Sequence, residues 1–169
     1  DDAGGRLYLI STVEGSLKVD DRPAGGQGLD LDRAYLSGNG EPLKGSPKLG
    51  DTFYVKLSLT NYSSDTIDNI ALDDRIPAGW EIENPRLGRG GMPDWENPEE
   101  LWSTDYMDVR DDHITFFGSV ASKDTVEVVY KVRAVTAGEF ALPGASAEAM
   151  YDPEIWARIS FGSTKVDGL

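Results

Sequence analysis

Residues 52–60 read TFYVKLSLT, a run in which apolar and polar side chains alternate at every step. Residues 124–134 show the same pattern, because every second position from Val126 onward is apolar or aromatic. A period of two is typical of β-strands that pack one face on a core and expose the other to water. Both runs are therefore predicted strands. Their predicted core-facing side chains are Phe53, Val55, Leu57, Leu59, Val126, Val128, Tyr130, Val132 and Ala134.

Weaker alternation marks further segments, and turn residues separate them. These segments are Arg6–Val13, Leu29–Leu36, Asn69–Asp73, Ile114–Phe117, Glu139–Leu142, Ala145–Met150, Trp156–Phe161 and Thr164–Val166. Gly and Pro clusters between them, such as Pro77-Ala78-Gly79 and Pro143-Gly144, indicate tight turns. Many short strands with frequent turns predict an all-β fold, an antiparallel β-sandwich.

Three segments depart from the strand pattern. Pro93–Trp102 carries acidic residues early and is predicted to hold one short helix. Asp20–Gly28 is rich in Gly and is predicted to be a mobile loop, and Gly88–Gly91 to be a hairpin loop. There is no internal repeat and no low-complexity linker, so residues 1–169 are predicted to form a single domain.

The charge balance excludes some partners. The 169 residues include 16 Lys and Arg against 30 Asp and Glu, a net charge of -14. A phosphate backbone or an anionic bilayer would repel such a surface, so neither nucleic acid nor a membrane surface is an expected partner. No apolar run reaches the roughly 18 residues that a membrane span needs. The sequence opens with Asp1-Asp2 and without Met, which predicts a mature product or a piece of a longer chain.

The side chains available for catalysis are few. The chain has no Cys and a single His, His113. Without Cys there are no disulfides, thiolate metal sites or cysteine nucleophiles. One His makes a Ser-His-Asp triad or a His-based zinc site hard to build. We therefore expect no enzymatic activity from this chain, and neither a cofactor nor a metal.

Acidic clusters leave two minor alternatives open. Carboxylates occur together at Asp73-Asp74, at Asp30 with Asp32, and at Asp108 with Asp111-Asp112. They could supply oxygens to Ca²⁺, but none has the spacing of an EF-hand, and a solvated acidic face is the favoured interpretation. A carboxylate pair for glycoside hydrolysis would need a cleft and two separated pKa values, and it is the least favoured interpretation.

Three further polar positions receive structural interpretations. His113 is expected to be partly exposed and paired with the neighbouring Asp111 or Asp112. Arg110 is expected to pair with a carboxylate near the start of the following strand. Asn61-Tyr62-Ser63 is formally a glycosylation sequon, which matters only in a eukaryotic secretory pathway.

A purely structural role explains the segment Glu148–Pro153 less well than it explains the other segments. It places a flexible apolar side chain, Met150, and an aromatic one, Tyr151, at a turn. Asp152 and Pro153 follow directly, and we expect them to break the strand and orient the tip. Apolar side chains at a hairpin tip either fold back on their own sandwich or face a partner, and the residues alone leave both open. Tyr suits the second role, because its rigid ring covers area and its hydroxyl stays polar.

Five segments in a fixed order point to a family. They read DTFYV at 51–55, IPAGWEIENP at 76–85, DYMDVRDD at 105–112, YKVRAVTAGEF at 130–140 and AEAMYDPE at 147–154. In these segments the chain resembles the C-terminal macroglobulin-like domain of bacterial alpha-2-macroglobulins over most of its length from about Arg6. The resemblance implies a β-sandwich of the macroglobulin-like or fibronectin-III-like kind, at the C-terminal end of a much longer parent chain.

The resemblance also implies a function for the parent. Members of this family are broad-spectrum endopeptidase inhibitors that trap proteases after cleavage of a bait region. The expected partners are the thioester domain and neighbouring macroglobulin-like domains of the same chain, and target proteases through the full-length protein. Met150 and Tyr151 would shield the thioester, and Asp152 and Pro153 would shape their hairpin. The parent would be periplasmic, an inner-membrane lipoprotein held by an N-terminal lipid.

One competing class is kept. A calcium-stabilised stalk or adhesion module of a bacterial surface protein would also be an acidic β-sandwich. Its support is the spacing of Asn61, Asp74 and the turn Pro77-Ala78-Gly79. A parent with repeated sandwiches would favour it.

Overall fold

The computed structural model describes residues 23–83 and 95–168, together with Thr12 and Pro93. Within these residues almost all regular structure is β. The strands are β1 (Gly25–Gln27), β2 (Leu29–Leu36), β3 (Thr52–Asn61), β4 (Ile67–Arg75), β5 (Trp80–Glu83), β6 (Tyr106–Val109), β7 (His113–Val120), β8 (Thr125–Ala134), β9 (Gly138–Leu142), β10 (Ser146–Ala149), β11 (Asp152–Arg158) and β12 (Gly162–Val166). A 3₁₀ helix spans Pro98–Glu100.

The strands form two larger antiparallel sheets and one separate two-stranded antiparallel pair. One sheet has six strands in the order β1-β11-β10-β4-β7-β6, and the other has four in the order β2-β3-β8-β5. Strands β9 and β12 pair with each other alone. The predicted antiparallel β-sandwich is confirmed. In the described part of the chain no helix is long and apolar enough to cross a membrane.

The core lies between the two sheets and is built by the alternation in the sequence. The four predicted inward residues of β3, Phe53 to Leu59, are at most 1% exposed. In β8 the predicted inward set is also correct, although Val126 at its start is only partly buried. Phe53 packs edge-to-face against Trp80, with ring centroids 4.8 Å apart. Burial of these large side chains, each worth about 1.5–3 kcal/mol, holds the sheets together.

The strand predictions are wrong at several edges. The segment predicted as a loop, Asp20–Gly28, contains β1, which pairs with β11. The last long strand spans Asp152–Arg158 instead of Trp156–Phe161. Strands β5 and β6, each of four residues, were not predicted. Edge strands are held by a neighbour and not by their own alternation, so local pattern identifies them poorly.

The predicted short helix is only a single 3₁₀ turn. The Asn97 side chain caps it by accepting a hydrogen bond from the backbone N–H of Glu99, at 3.2 Å. The chain then buries Trp102 against Gly118, where an added Cβ would lie 2.8 Å from the indole ring. The backbone is extended at Leu101, with φ -79° and ψ 154°, so the helix ends after three residues.

Two predictions lie outside the described residues. They are the Arg6–Val13 strand, apart from Thr12, and the Gly88–Gly91 hairpin loop. That residues 1–169 form one domain stays a prediction.

Candidate functional site

The turn between β10 and β11 carries the predicted site residues. Ala149 and Asp152 face each other as the last cross-strand pair, and Met150 and Tyr151 form the turn between them. Ala149 is buried, whereas Met150 is 47% exposed and Tyr151 is 84% exposed. The tip is therefore not folded back on its own sandwich, and that it faces a partner stays a prediction. We refer to Met150 and Tyr151 as the hairpin tip.

The hairpin tip is held from below by the neighbouring strand. The backbone N–H of Met150 donates to the carbonyl oxygen of Asn69, at 3.0 Å. Asn69 has a φ of 55°, the left-handed region, at a register break in β4 between Ile67 and Ile70. Asn tolerates this conformation better than most residues. The irregularity of β4 at Asn69 therefore directs the Asn69 carbonyl oxygen toward the turn, and the hydrogen bond from Met150 fixes the position of the turn.

The strand break predicted at Asp152 and Pro153 is wrong, and their role in shaping the hairpin stays a prediction. They do not break the strand: β11 begins at Asp152 and includes Pro153. The Asp152 carboxylate accepts a hydrogen bond from the backbone N–H of Glu154, at 3.1 Å. The register shifts between Glu148 and Ala149, so β11 holds extra residues opposite β10 here. Pro is tolerated at such a bulge because its missing N–H is not needed for pairing.

Asn61 organises the loops at the same end of the sandwich. It is completely buried, and its side-chain amide donates to the carbonyl oxygens of Asp65, Val120 and Ala121 at 2.9–3.0 Å. Its Oδ1 accepts from the N–H and hydroxyl of Ser63, at 2.8 and 2.7 Å. The Asn61 side chain therefore connects two loops, and its amide is buried in the folded chain.

The surface around the hairpin tip is acidic. Exposed carboxylates at this end of the sandwich belong to Asp65, Asp68, Asp124, Asp152 and Glu154. Among the residues that the structure describes, no three His, Cys, Asp or Glu side chains are grouped so as to hold a metal ion. This ordered turn exposes a rigid aromatic ring and a thioether. Such side chains can cover a group on a partner surface and exclude water from it.

A buried charge network joins the two sheets, and sequence reasoning missed it. Arg33 of β2 donates to Asp74 of β4 at 2.6 Å, and the Tyr130 hydroxyl of β8 donates to the same carboxylate at 2.7 Å. Arg33 also donates to the carbonyl oxygen of Pro143, at 2.9 Å. The side chains of Arg33 and Asp74 are 6% and 1% exposed. We refer to Arg33, Asp74 and Tyr130 as the buried clamp.

The electrostatics of the buried clamp follow from its burial. Burial raises the pKa of Asp74, and Arg33 and the Tyr130 hydroxyl act against that rise by favouring the carboxylate. Burial also raises the pKa of Tyr130 well above its ordinary value, so this hydroxyl stays a donor. The prediction that Asp73-Asp74 lies on a solvated face is therefore wrong for Asp74. A signal was present, since Asp74 has the same strand parity as the core residues Ile70 and Leu72.

The remaining polar predictions have mixed outcomes. His113 begins β7, is partly exposed and lies 2.7 Å from the Asp112 carboxylate through Nδ1, as predicted. Arg110 does not pair with a carboxylate near the following strand. It donates to Asp108 of β6 at 2.8 Å, because the two residues alternate onto the same side of the chain.

Comparison with known proteins gives a consistent result. The family model described as "Bacterial Alpha-2-macroglobulin MG10 domain" matches residues 28–154. The chain is 31% identical to an alpha-2-macroglobulin of Rickettsia conorii and 33% identical to one of Pasteurella multocida, in both cases with 83% of this chain and 7% of the relative covered. The chain thus spans about one fourteenth of the length of these relatives.

Solved structures agree with this match. A structure of Salmonella alpha-2-macroglobulin with one tyrosine replaced by glycine, and another of that protein reacted with methylamine, both superpose with a TM-score of 0.75. Sequence identity is 28% and 27%, and 86% of this chain and 10% of each solved chain are covered.

Proposed function

The chain belongs to the bacterial alpha-2-macroglobulin family, and from this premise we propose that its hairpin tip shields the thioester of a protease-trapping parent. In this proposal the chain is the C-terminal macroglobulin-like domain. It packs on the thioester domain until cleavage of the bait region activates the parent. The observation that carries the proposal is the exposure of Tyr151, 84%, next to a half-exposed Met150 on a fixed turn.

The physical requirement is the exclusion of water and amines. A thioester is hydrolysed by water and attacked by amines, so it persists only where both are kept out. An aromatic ring and a thioether exclude water better than charged side chains do, and the ring loses little conformational entropy on docking. The turn is already ordered by Asn69 in the chain itself, which lowers the cost of docking further.

The cover must also be released on activation. A small contact made by one tip can be broken by a change in domain arrangement, whereas a large apolar interface would hold. The carboxylates around the hairpin tip favour release, because each must lose water if the interface spreads beyond the tip. A narrow apolar tip in an acidic surrounding therefore suits a reversible cover.

The relatives add support. One Salmonella structure is of a protein that was reacted with methylamine, a small amine of the kind that opens a thioester. Another is of a variant in which a tyrosine is replaced by glycine. Extending the family's implications to this chain, we place the parent in the periplasm as an inner-membrane lipoprotein. Its targets would be endopeptidases met there.

The test is thiol release from the full-length parent in methylamine. The amine attacks the thioester carbonyl, an amide forms and one Cys thiol is freed, which a thiol-reactive dye counts. We expect faster release when Met150→Ala and Tyr151→Gly are combined than in the wild type. Tyr62→Gly is the matched control, since Tyr62 is 58% exposed in another loop at the same end.

The outcomes separate clearly. Fast release in the double variant with an unchanged rate in Tyr62→Gly supports the proposal. Equal release from all three proteins would place the shield elsewhere, and no thiol from any of them would mean a parent without a thioester. Either of these results contradicts the proposed role of the hairpin tip.

A further inference from the structure

The hairpin tip exposes a methionine in a chain whose only sulfur atoms are thioethers. The sequence has three Met and no Cys, so an oxidant that attacks sulfur meets only methionine here. Met150 is 47% exposed at the turn, whereas Met107 of β6 is partly buried and packs against the core. Met92 lies outside the described residues. Of the two thioethers that the structure describes, that of Met150 is therefore the more accessible to an oxidant.

Oxidation would change the chemical character of the hairpin tip. A peroxide transfers one oxygen atom to the Met150 sulfur: the O–O bond breaks, a sulfur–oxygen bond forms, and the peroxide leaves as water or as an alcohol. The sulfur is oxidised and the peroxide is reduced, and no further reactant is needed. The product, methionine sulfoxide, is polar and chiral, whereas the thioether is apolar and only a weak acceptor of hydrogen bonds.

The backbone of the turn does not depend on that sulfur. The N–H of Met150 donates to the carbonyl oxygen of Asn69 at 3.0 Å, and Ala149 pairs with Asp152 at the base of the turn. Nearly half of the Met150 side chain is in water, so the isolated chain can keep a sulfoxide there in the solvent. The effect of oxidation should therefore appear where the hairpin tip docks and not in the stability of the sandwich.

A sulfoxide is costly in a cover that excludes water. On docking its oxygen must leave water, and the carboxylates beside the turn, such as Asp68 and Asp152, are acceptors that cannot donate a hydrogen bond to it. A buried acceptor without a partner shifts an equilibrium by about 5- to 150-fold. If an amine reaches the thioester only in the undocked state, its rate of attack rises by the same factor as the undocked fraction.

We propose that Met150 is an oxidation site at which a peroxide opens the cover. The peroxide reaches the sulfur during a transient undocking, and the sulfoxide then disfavours the return of the hairpin tip to its covering position. Oxidation thus converts a reversible opening into a lasting one. This inference rests on the proposed function, because it takes the hairpin tip as the cover. The reactivity of Met150 in the isolated chain does not depend on that function.

The first test uses the isolated 169-residue chain. The chain is treated briefly with hydrogen peroxide, and peptide mapping by mass spectrometry locates each added oxygen atom. We expect sulfoxide to form several times faster at Met150 than at Met107, because reactivity follows exposure. The oxidised chain should unfold at the wild-type urea midpoint. Equal rates at the two residues, or a lowered midpoint, would overturn the inference.

The second test uses the full-length parent. It is treated with hydrogen peroxide, catalase removes the oxidant, and the rate constant of thiol release in methylamine is then measured. We expect the treated wild type to release its thiol at least about fivefold faster than the untreated wild type. Met150→Leu is the matched variant, because Leu is apolar and has no sulfur. Its own rate constant, whatever its value, should not change on peroxide treatment.

The outcomes of the second test each decide the inference. Acceleration of the wild type alone supports it. Equal acceleration of the wild type and of Met150→Leu would assign the effect to another oxidised residue, and no acceleration in either would mean that the sulfoxide is tolerated in the cover. Both of these results overturn the inference.

The failure of this inference can be distinguished from the failure of the proposed function. If the combined Met150→Ala and Tyr151→Gly variant releases its thiol fast but peroxide leaves the wild type unchanged, the cover stands and the oxidation site does not. The rate at which Met150 is oxidised in the untreated parent reports on the cover itself. It should be lower than in the isolated chain, and equal rates would contradict both proposals.

Discussion

The hairpin tip and the buried clamp are opposites within one small sandwich. The clamp places two charged side chains and a phenol in the core, at most 6% exposed, and uses them to join the sheets. The tip places an aromatic ring and a thioether in water, where they add nothing to the core. The residues that hold the fold together and those offered to a partner are therefore separate sets. Substitutions should affect either the stability of the chain or the behaviour of the parent.

The largest effect on stability is expected at the centre of the clamp. Asp74→Asn keeps the shape but leaves Arg33 buried without a countercharge. Breaking a buried pair in this way costs about 3–5 kcal/mol of unfolding free energy. Urea unfolding of the 169-residue chain measures it. Asp73→Asn is the neighbouring control, since Asp73 faces outward and is 29% exposed. Equal losses of unfolding free energy in Asp74→Asn and Asp73→Asn would contradict the special role of the buried carboxylate.

A smaller loss is expected at Tyr130. Tyr130→Phe removes the hydroxyl that donates to Asp74 and keeps the ring in the core. A hydrogen bond to a charged group is worth about 1.5–3 kcal/mol, so the variant should be less stable by that amount. Urea unfolding again measures the change. A variant as stable as the wild type would mean that Arg33 alone satisfies the carboxylate.

Glu83 at the sheet edge should contribute to the pH dependence of stability. Partial burial acts to raise the pKa of Glu83, but hydrogen bonds from Arg133 and Lys131 outweigh it and leave the pKa lowered. The stability from these contacts is present above the ordinary pKa of a Glu and is lost as the pH falls below it. Glu83→Gln should therefore flatten the decline of the thermal midpoint in acid. An unchanged decline would mean that other carboxylates cause the loss of stability in acid.

The smallest effect on stability is expected at the hairpin tip. Tyr151→Gly removes an 84% exposed side chain and leaves the backbone bond from Met150 to Asn69 in place. The unfolding free energy should stay within about 0.5 kcal/mol of the wild type. A loss as large as that of Tyr130→Phe would show that the tip supports the sandwich, and would remove the distinction between the two regions.

The features that could be predicted from the sequence are those that depend on the local pattern of residues. Alternation in residues 52–60 and 124–134 predicted the two longest strands and their inward side chains, because one buried face fixes the parity of every residue. The tip residues Met150 and Tyr151 were predicted by composition at a turn. What local pattern could not provide was the pairing of distant residues. Arg33 and Asp74 are 41 positions apart and meet only after the sheets have packed.

The errors have the same origin. Strand β1 is held by β11, more than 120 residues away, so its Gly-rich sequence indicated a loop. Asp152-Pro153 indicated a strand break, but the neighbouring strands support a bulge in which both residues fit. The structural role of Asn61 was likewise not visible in the sequence, because its partners are Val120 at the end of β7 and Ala121 in the next loop.

The most direct test of the hairpin tip as a cover is the lifetime of the thioester in the full-length parent in plain buffer, followed by the slow appearance of one Cys thiol. We expect a shorter lifetime for Tyr151→Gly and a wild-type lifetime for Tyr151→Phe, which keeps the ring. We also expect the isolated Tyr151→Gly chain to unfold at the wild-type urea midpoint. A wild-type lifetime in Tyr151→Gly would contradict the claim that the hairpin tip is a cover.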